Sequence, residues 1–300
     1  MNSKNSHTPE ADFLEDEKPA KKILPLNLTS YDFLKTIAIV LMIVDHIGVY
    51  FYPEEEWFRI LGRLCVPIWF FLIGYARTRD IPFKVILGIA LIAGGNMVAG
   101  EFLFPVSILV TLMIGRYCID IFMRAARKGG EPMAGLYFML VLLTFPTAFI
   151  FEYGTMGLLF TVFGALCRFR QDYADMIPPA YNRQIGFFAL GSFIAFIIMQ
   201  VAPMEVLTGA QLLVLCIGMG GVYYILNRFS PAELPTITAR LPKLITFIVK
   251  LTGRRTLEIY VAHLLVFKAL GLYLYPDRFQ LFQWRWTHET MEKFIAFIIA

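Results

Sequence analysis

The chain has 300 residues, of which 58% are hydrophobic and 17% charged, with a formal net charge of +4 at pH 7. Apolar runs recur along nearly its whole length, which excludes a water-soluble domain and leaves an all-α, polytopic integral membrane protein. Its small basic excess is the kind that orients membrane spans and is no nucleic-acid footprint, so no nucleic-acid partner is expected.

Residues 1–28 mix both charge signs with Pro and Ser and cannot bury enough apolar surface to fold alone. They read as a disordered cytoplasmic tail, and residues 29–300 as one transmembrane domain. No apolar core follows Met1 in the window of a cleavable signal peptide, so the first span is expected to direct insertion. From Thr29 onward the apolar segments are 31–52, 57–76, 83–104, 106–123, 133–151, 154–168, 185–201, 207–227 and 256–275. All but the short sixth are about one bilayer thickness of helix. A tenth, within 281–300, is interrupted by Glu289, Glu292 and Lys293. The pattern predicts about ten transmembrane helices in one bundle.

Basic residues set the orientation. Arg77, Arg79 and Lys84, then Arg124, Arg127 and Lys128, then Arg168, Arg170 and Arg183, then the run from Arg228 to Arg255 fall in alternate connections, which are predicted to be cytoplasmic. The intervening turns at 53–56, 105, 152–154 and 202–205 hold no Lys or Arg; only the last outer loop, with Arg278 and Arg285, departs from the pattern. Cys65, Cys118, Cys167 and Cys216 stand singly in apolar segments, without metal-ligand spacing, so neither a metal site nor a disulfide framework is expected.

The first span carries the least membrane-like residues. Thr29 and Asp32 form a capping-box pattern, so a helix is predicted from about Ser30 past His46. Lys35 and His46 are eleven residues apart, three turns to within about 20° and about 16 Å of rise, and so share a face. Lys35 then lies near the cytoplasmic interface and His46 toward the other side. The next helix returns after the PEEE turn at 53–56, and Arg63 lies as far beyond that turn as His46 lies before it. The two should be level, with Arg59 one turn from Arg63 and Gly62 permitting close approach. Asp45, His46 and Arg63 therefore form a candidate site of acid, base and fixed cation. An acid deep in a spanning helix costs roughly 3 kcal/mol to insert and calls for compensation; Arg63 is one candidate partner for Asp45.

The runs YDFLKTIAIVLMIVDHIG at 31–48 and RILGRLCVPIWFFLIGY at 59–75 resemble the TraX family of membrane proteins, to which acetylation of the F-pilin amino terminus is assigned. The basic-x10-His spacing of Lys35 and His46 is similar to the first-helix motif of the larger transmembrane acyltransferase superfamily. GRRTLEIYVAHLLVF at 253–267, with Tyr260 and His263, resembles the late Tyr and His segment of those proteins. The resemblance covers residues 29–80 and 252–268.

It implies a bundle of about ten helices in the bacterial inner membrane that moves an acetyl group from cytoplasmic acetyl-CoA to an acceptor on the membrane or periplasmic side; the basic connections put the amino terminus in the cytoplasm, and the carboxyl terminus too if the tenth segment crosses. The resemblance puts His46 in acyl transfer; by their chemistry His46 would act as general base or acyl carrier, Asp45 would hold the imidazole and Arg63 would stabilise the oxyanion. Lys35, Arg59, Tyr260 and His263 would serve the donor site. The implied acceptor is the amino terminus of a pilin-like peptide, with a surface glycan as the alternative.

Plainer roles stand beside these. Lys35 can be an interfacial anchor paired with Asp32, Arg116 and Asp120 a self-neutralising pair within one helix, His263 a lone hydrogen-bonded histidine, and the glycines of 218–221 and 94–95 packing points. A proton-coupled transporter would also bury Asp, His and Arg, and a non-enzymatic assembly protein would tolerate loss of His46.

Overall fold

The computed structural model describes residues 25–201, 207–283 and 285–286. Among these there are twelve helices and no strands: α1 (Ser30–Phe51), α2 (Glu56–Arg63), α3 (Cys65–Tyr75), α4 (Phe83–Ala99), α5 (Ile108–Ala126), α6 (Gly130–Ala148), α7 (Met156–Asp172), α8 (Pro179–Val201), α9 (Gly209–Asn227), α10 (Pro235–Arg240), α11 (Lys243–Arg254) and α12 (Thr256–Leu274). Six are long and apolar enough to cross a bilayer, counting α2 and α3 as one span over Glu56–Tyr75. That is fewer than the ten expected from hydropathy. The helices α4 and α7, at 17 residues each, are shorter than the roughly 30 Å hydrocarbon core, and α5 carries Arg116, Asp120 and Arg124. The tenth segment and the 202–205 turn lie outside the described residues, apart from 281–283 and 285–286, which are not helical.

Thr29 and Asp32 cap α1 as their spacing predicts: the Asp32 N–H donates to Thr29 Oγ1 at 3.2 Å and the Thr29 N–H to Asp32 Oδ2 at 3.0 Å. The same carboxylate, which the sequence offers to Lys35, accepts from Arg254 at the end of α11. That helix lies so close that a Cβ on Gly253 would sit 2.6 Å from Asp32 Cα. Residues 25–28, assigned to the tail by composition, are held here: Leu28 is fully buried, and Arg254 donates to the carbonyls of Pro25 and Asn27.

The centre of the bundle is α7, in which every residue from Met156 to Cys167 is buried. Its neighbour α3 approaches backbone to backbone. A Cβ on Gly74 would stand 1.7 Å from the Thr161 carbonyl oxygen, and one on Gly164 would stand 2.1 Å from that of Phe71. Without a hydrophobic driving force between spans, small residues that admit such contact hold membrane helices together.

The predicted helix at 57–76 is interrupted at Leu64. Pro67 has no N–H to donate to the Arg63 carbonyl four residues back, so the ladder breaks where α2 meets α3. Arg116 and Asp120 do not pair with each other. Arg116 donates to the carbonyl and hydroxyl of Thr78, while Asp120 pairs with Arg79 at 3.1 Å, because the connection between α3 and α4 lies against α5 and offers both groups partners. Among the glycines, Gly218 packs on Leu64 and Gly95 on Leu265, whereas a Cβ added at Gly94, Gly220 or Gly221 would meet nothing within 4 Å.

Candidate active site

Two cavities open between the helices, and their linings differ in charge. The larger, about 920 Å³, begins among residues at the start of α1 and includes Lys35, Arg77, Arg116, Arg168 and Arg254, against the carboxylates Asp32 and Glu233. The smaller, about 480 Å³, lies toward the opposite end and holds Asp45, His46, Arg59, Arg63, Glu101, Glu152 and Lys268. Tyr260 lines both, and the neighbours Ser107 and Ile108 line one each, so the cavities share a wall.

The turn between α1 and α2 brings the two helices back along each other, with Gly62 against Asp45; a Cβ on Gly62 would fall 2.2 Å from Asp45 Cβ. This puts Arg63 and His46 at one depth and into one cavity. Their bonding partners differ from those expected. Asp45 Oδ2 accepts from Arg59 Nη1 at 2.8 Å, not from His46 or Arg63. Successive residues on a helix point apart, and Arg59, one turn before Arg63, reaches the acid from the same helix face. Arg63 donates through Nη1 to the Tyr153 hydroxyl at 2.5 Å and lies over that ring at 5.4 Å.

The partner of His46 comes from the other end of the chain. His46 Nδ1 lies 2.7 Å from His263 Nε2, with the ring centroids 4.9 Å apart and the ring planes within 25° of parallel. His263 Nδ1 in turn lies 2.9 Å from the Ile259 carbonyl oxygen, one turn back on α12. Of the four residues assigned to the donor by resemblance, Lys35 and Tyr260 line the larger cavity. Arg59 and His263 do not: the first is bound to Asp45 in the smaller cavity and the second to His46. Their place on the helices explains this, since Arg59 is in the first turn after the connection from α1 and His263 lies a turn beyond Tyr260.

Lys268, Glu101, Glu152 and Tyr153 are among the lining residues not singled out from sequence. Lys268 is only 5% exposed and bonds Glu101 and the Tyr50 hydroxyl, the latter at 2.7 Å. A cation inside the apolar run 256–275 and an acid inside 83–104 are the signals that could have found this pair. Glu152 and Tyr153 lie in the turn between α6 and α7, which reads as a plain outer connection. Burial pushes the Glu152 carboxyl up from its ordinary pKa, opposed by the Ile108 N–H that donates to it at 2.6 Å and by nearby Arg63. Tyr153 holds φ 63°, a left-handed conformation that costs a non-glycine residue roughly 1 kcal/mol or more.

Most of the buried polar valences left open among the described residues lie in the smaller cavity, with Trp69 Nε1 in the larger and Thr246 Oγ1 in neither. Asp45 Oδ1, Arg63 Nε, Asn96 Oδ1, Glu101 Oε1 and Ser107 Oγ are buried without a hydrogen-bond partner, and all five residues line the smaller cavity. Such groups cost about 1–3 kcal/mol each unless a ligand or water completes them. Among the described residues, no group of three or more His, Cys, Asp or Glu side chains is placed to hold a metal ion.

No solved structure matches this chain. An uncharacterized protein of Rickettsia prowazekii (strain Madrid E) is 30% identical over 152 residues, 49% of this chain and 59% of that relative, so the chain spans about three-fifths of the relative's length. The family model described as TraX protein matches residues 30–271, from the first residue of α1 into the last turn of α12. This all-α, multi-pass membrane chain belongs to the TraX family.

Proposed function

We propose that the protein is a membrane-embedded acetyltransferase that draws acetyl-CoA into the larger cavity and acetylates an acceptor held in the smaller one. The observation that carries this reading is the pair of cavities with a common wall at Tyr260, basic residues in one and an imidazole in the other. Membership of a family associated with F-pilin acetylation supports the reaction class.

Five cations against two carboxylates suit the phosphates of coenzyme A, with Lys35, Arg116 and Arg168 the binding groups and the pantetheine arm extending past Tyr260. In the smaller cavity the acceptor nitrogen attacks the thioester carbonyl, forming the C–N bond as its proton passes to His46. The oxyanion is met by the open Nε–H of Arg63, whose other arm Tyr153 holds. The C–S bond then breaks, and the thiolate recovers the proton from His46. Asp45 holds Arg59 and so fixes the cation array, in place of orienting the imidazole directly.

The acceptor proposed is the amino terminus of a pilin-like peptide. Its N–H groups and first carbonyl match the open acceptors on Asp45, Asn96 and Glu101 and the open donor on Ser107. A glycan hydroxyl would satisfy the same atoms and is the alternative acceptor. The orientation follows the basic connections: inner bacterial membrane, with the start of α1 and the larger cavity cytoplasmic.

Acetyl-CoA turnover by purified protein, wild type beside His46→Ala, tests the proposal. Wild-type turnover that the substitution lowers by roughly 100-fold or more is the expected result. Transport of a solute without acetyl-CoA consumption would favour the proton-coupled carrier, whose two access sites the cavities would then be. Intact-mass analysis of pilin from cells with and without the protein separates the acceptors. Loss of one acetyl group supports the peptide, and an unchanged pilin mass with acetyl loss from envelope polysaccharide supports the glycan.

A further inference from the structure

The carbonyl of Ile259 can only accept a hydrogen bond, so the 2.9 Å contact requires His263 to carry its hydrogen on Nδ1. In the uncharged ring this leaves Nε2 as a bare acceptor, and that nitrogen lies 2.7 Å from His46 Nδ1. The hydrogen between the two rings then belongs to His46 Nδ1, and the lone pair of His46 is confined to Nε2. We infer that His263 is the positioning residue of the reaction, holding His46 as the Nδ1–H tautomer with Nε2 as its basic atom, through a chain that ends on the Ile259 carbonyl. The inference rests on the reading of His46 as the general base.

The arrangement does the work that an acid does in a serine-protease triad, where loss of the orienting bond leaves the wrong tautomer. A neutral acceptor has an advantage inside a membrane: it orients the base without adding a charge that would itself need compensation. Asp45, next to His46 in sequence, bonds Arg59 through Oδ2. When His46 takes the acceptor's proton, its Nδ1–H bond to His263 becomes charge-assisted and stronger. The rings lie within 25° of parallel with their centroids 4.9 Å apart, the edge-to-edge approach that an Nδ1–H···Nε2 bond needs.

Two variants separate this role from a packing role and from donor binding. His263→Gln retains an acceptor for His46 and a donor for Ile259, whereas His263→Leu removes both. In His263→Leu, kcat for acetyl-CoA turnover should fall by roughly 100-fold or more, with KM for acetyl-CoA within about twofold of wild type. His263→Gln should recover kcat to within about tenfold of wild type, since the bond that sets the tautomer is restored. Equal losses in both variants, or a raised KM with unchanged kcat, would overturn the inference. The second readout needs no turnover: nitrogen-15 NMR of histidine-labelled protein in nanodiscs, with the His46 signals identified by their absence in His46→Gln. Hydrogen on Nδ1 and a bare Nε2 are expected in wild type and in His263→Gln, and a mixture of tautomers in His263→Leu. Hydrogen on Nε2 in wild type, or no change in His263→Leu, rejects the dyad. If wild-type protein consumes no acetyl-CoA, the acetyltransferase reading fails while the spectrum still decides the tautomer.

Discussion

The two cavities share a wall and yet handle charge in opposite ways. In the larger, cations outnumber carboxylates five to two, and several reach toward the surface: the Arg77 side chain is 71% exposed and its pair with Asp172 is correspondingly weak. In the smaller, three carboxylates face three cations beside a single imidazole, and the Asp45 and Lys268 side chains are only 9% and 6% exposed. A net positive, open cavity attracts an anion over distance and is weakened by salt. A balanced, buried one offers little net field and discriminates by where each atom sits. The difference fits the proposed division, in which the donor is drawn to one end of the bundle and the acceptor is held at the other.

The contrast breaks most visibly at Arg63. Lysine keeps the charge, but its donors share one nitrogen and cannot span Tyr153 and the oxyanion as the planar fork does, so Arg63→Lys should lower kcat by roughly 100-fold, the cost of one oxyanion donor, with little change in KM for acetyl-CoA. Full activity in this variant would reduce Arg63 to a counter-charge. At Gly62, a valine would drive its side chain into Asp45, and the fit between α1 and α2 should loosen by about 1–3 kcal/mol, read as a lower thermal midpoint together with lower turnover. An unaltered midpoint would mean that the helices do not approach as described.

On the other side of the wall, Arg168→Gln should raise KM for acetyl-CoA by about tenfold and leave kcat nearly unchanged, and added salt should mimic it in wild type while leaving Arg63→Lys kcat unaffected. A kcat effect with constant KM would remove the division of labour between the cavities. The smallest effect is expected at Glu152. Its folded pKa is raised by burial, so the folded state binds the proton more tightly than the unfolded chain does. Stability is therefore greatest below the unfolded pKa and declines as pH rises through the folded one. Glu152→Gln keeps an acceptor for Ile108 N–H, and its thermal midpoint should show a flatter decline with rising pH than wild type; a steeper decline would contradict the sign.

Much of this organisation is legible in one dimension because it is local. A capping box spans three residues, helix phase relates Lys35 to His46, and a four-residue turn fixes the depth of Arg63 against α1. The partners across the bundle are not local. Asp45 could be matched with either arginine of α2 by charge, and only the rotation of that helix presents Arg59 to it. Arg116 and Asp120 satisfy the spacing of an intrahelical pair, and each found a better-placed partner near the connection between α3 and α4. Hydropathy counted α4 as an ordinary span and α7 as a short one; both are 17-residue helices, and α7 is enclosed by protein.

What the amino-acid sequence determined by itself is the membrane setting, the helical class, the cap of α1 and the level placement of His46 and Arg63, since each follows from composition or from a fixed rise and rotation per residue. The pairing of His46 with His263, 217 residues apart, the enclosure of Lys268 with Glu101, and the wall at Tyr260 were decided by tertiary structure alone. The physical reason is that helices several crossings apart share no periodicity. Which faces meet depends on where glycines such as Gly62 and Gly74 let backbones touch, and that contact sets the rotation on which every cross-helix hydrogen bond depends.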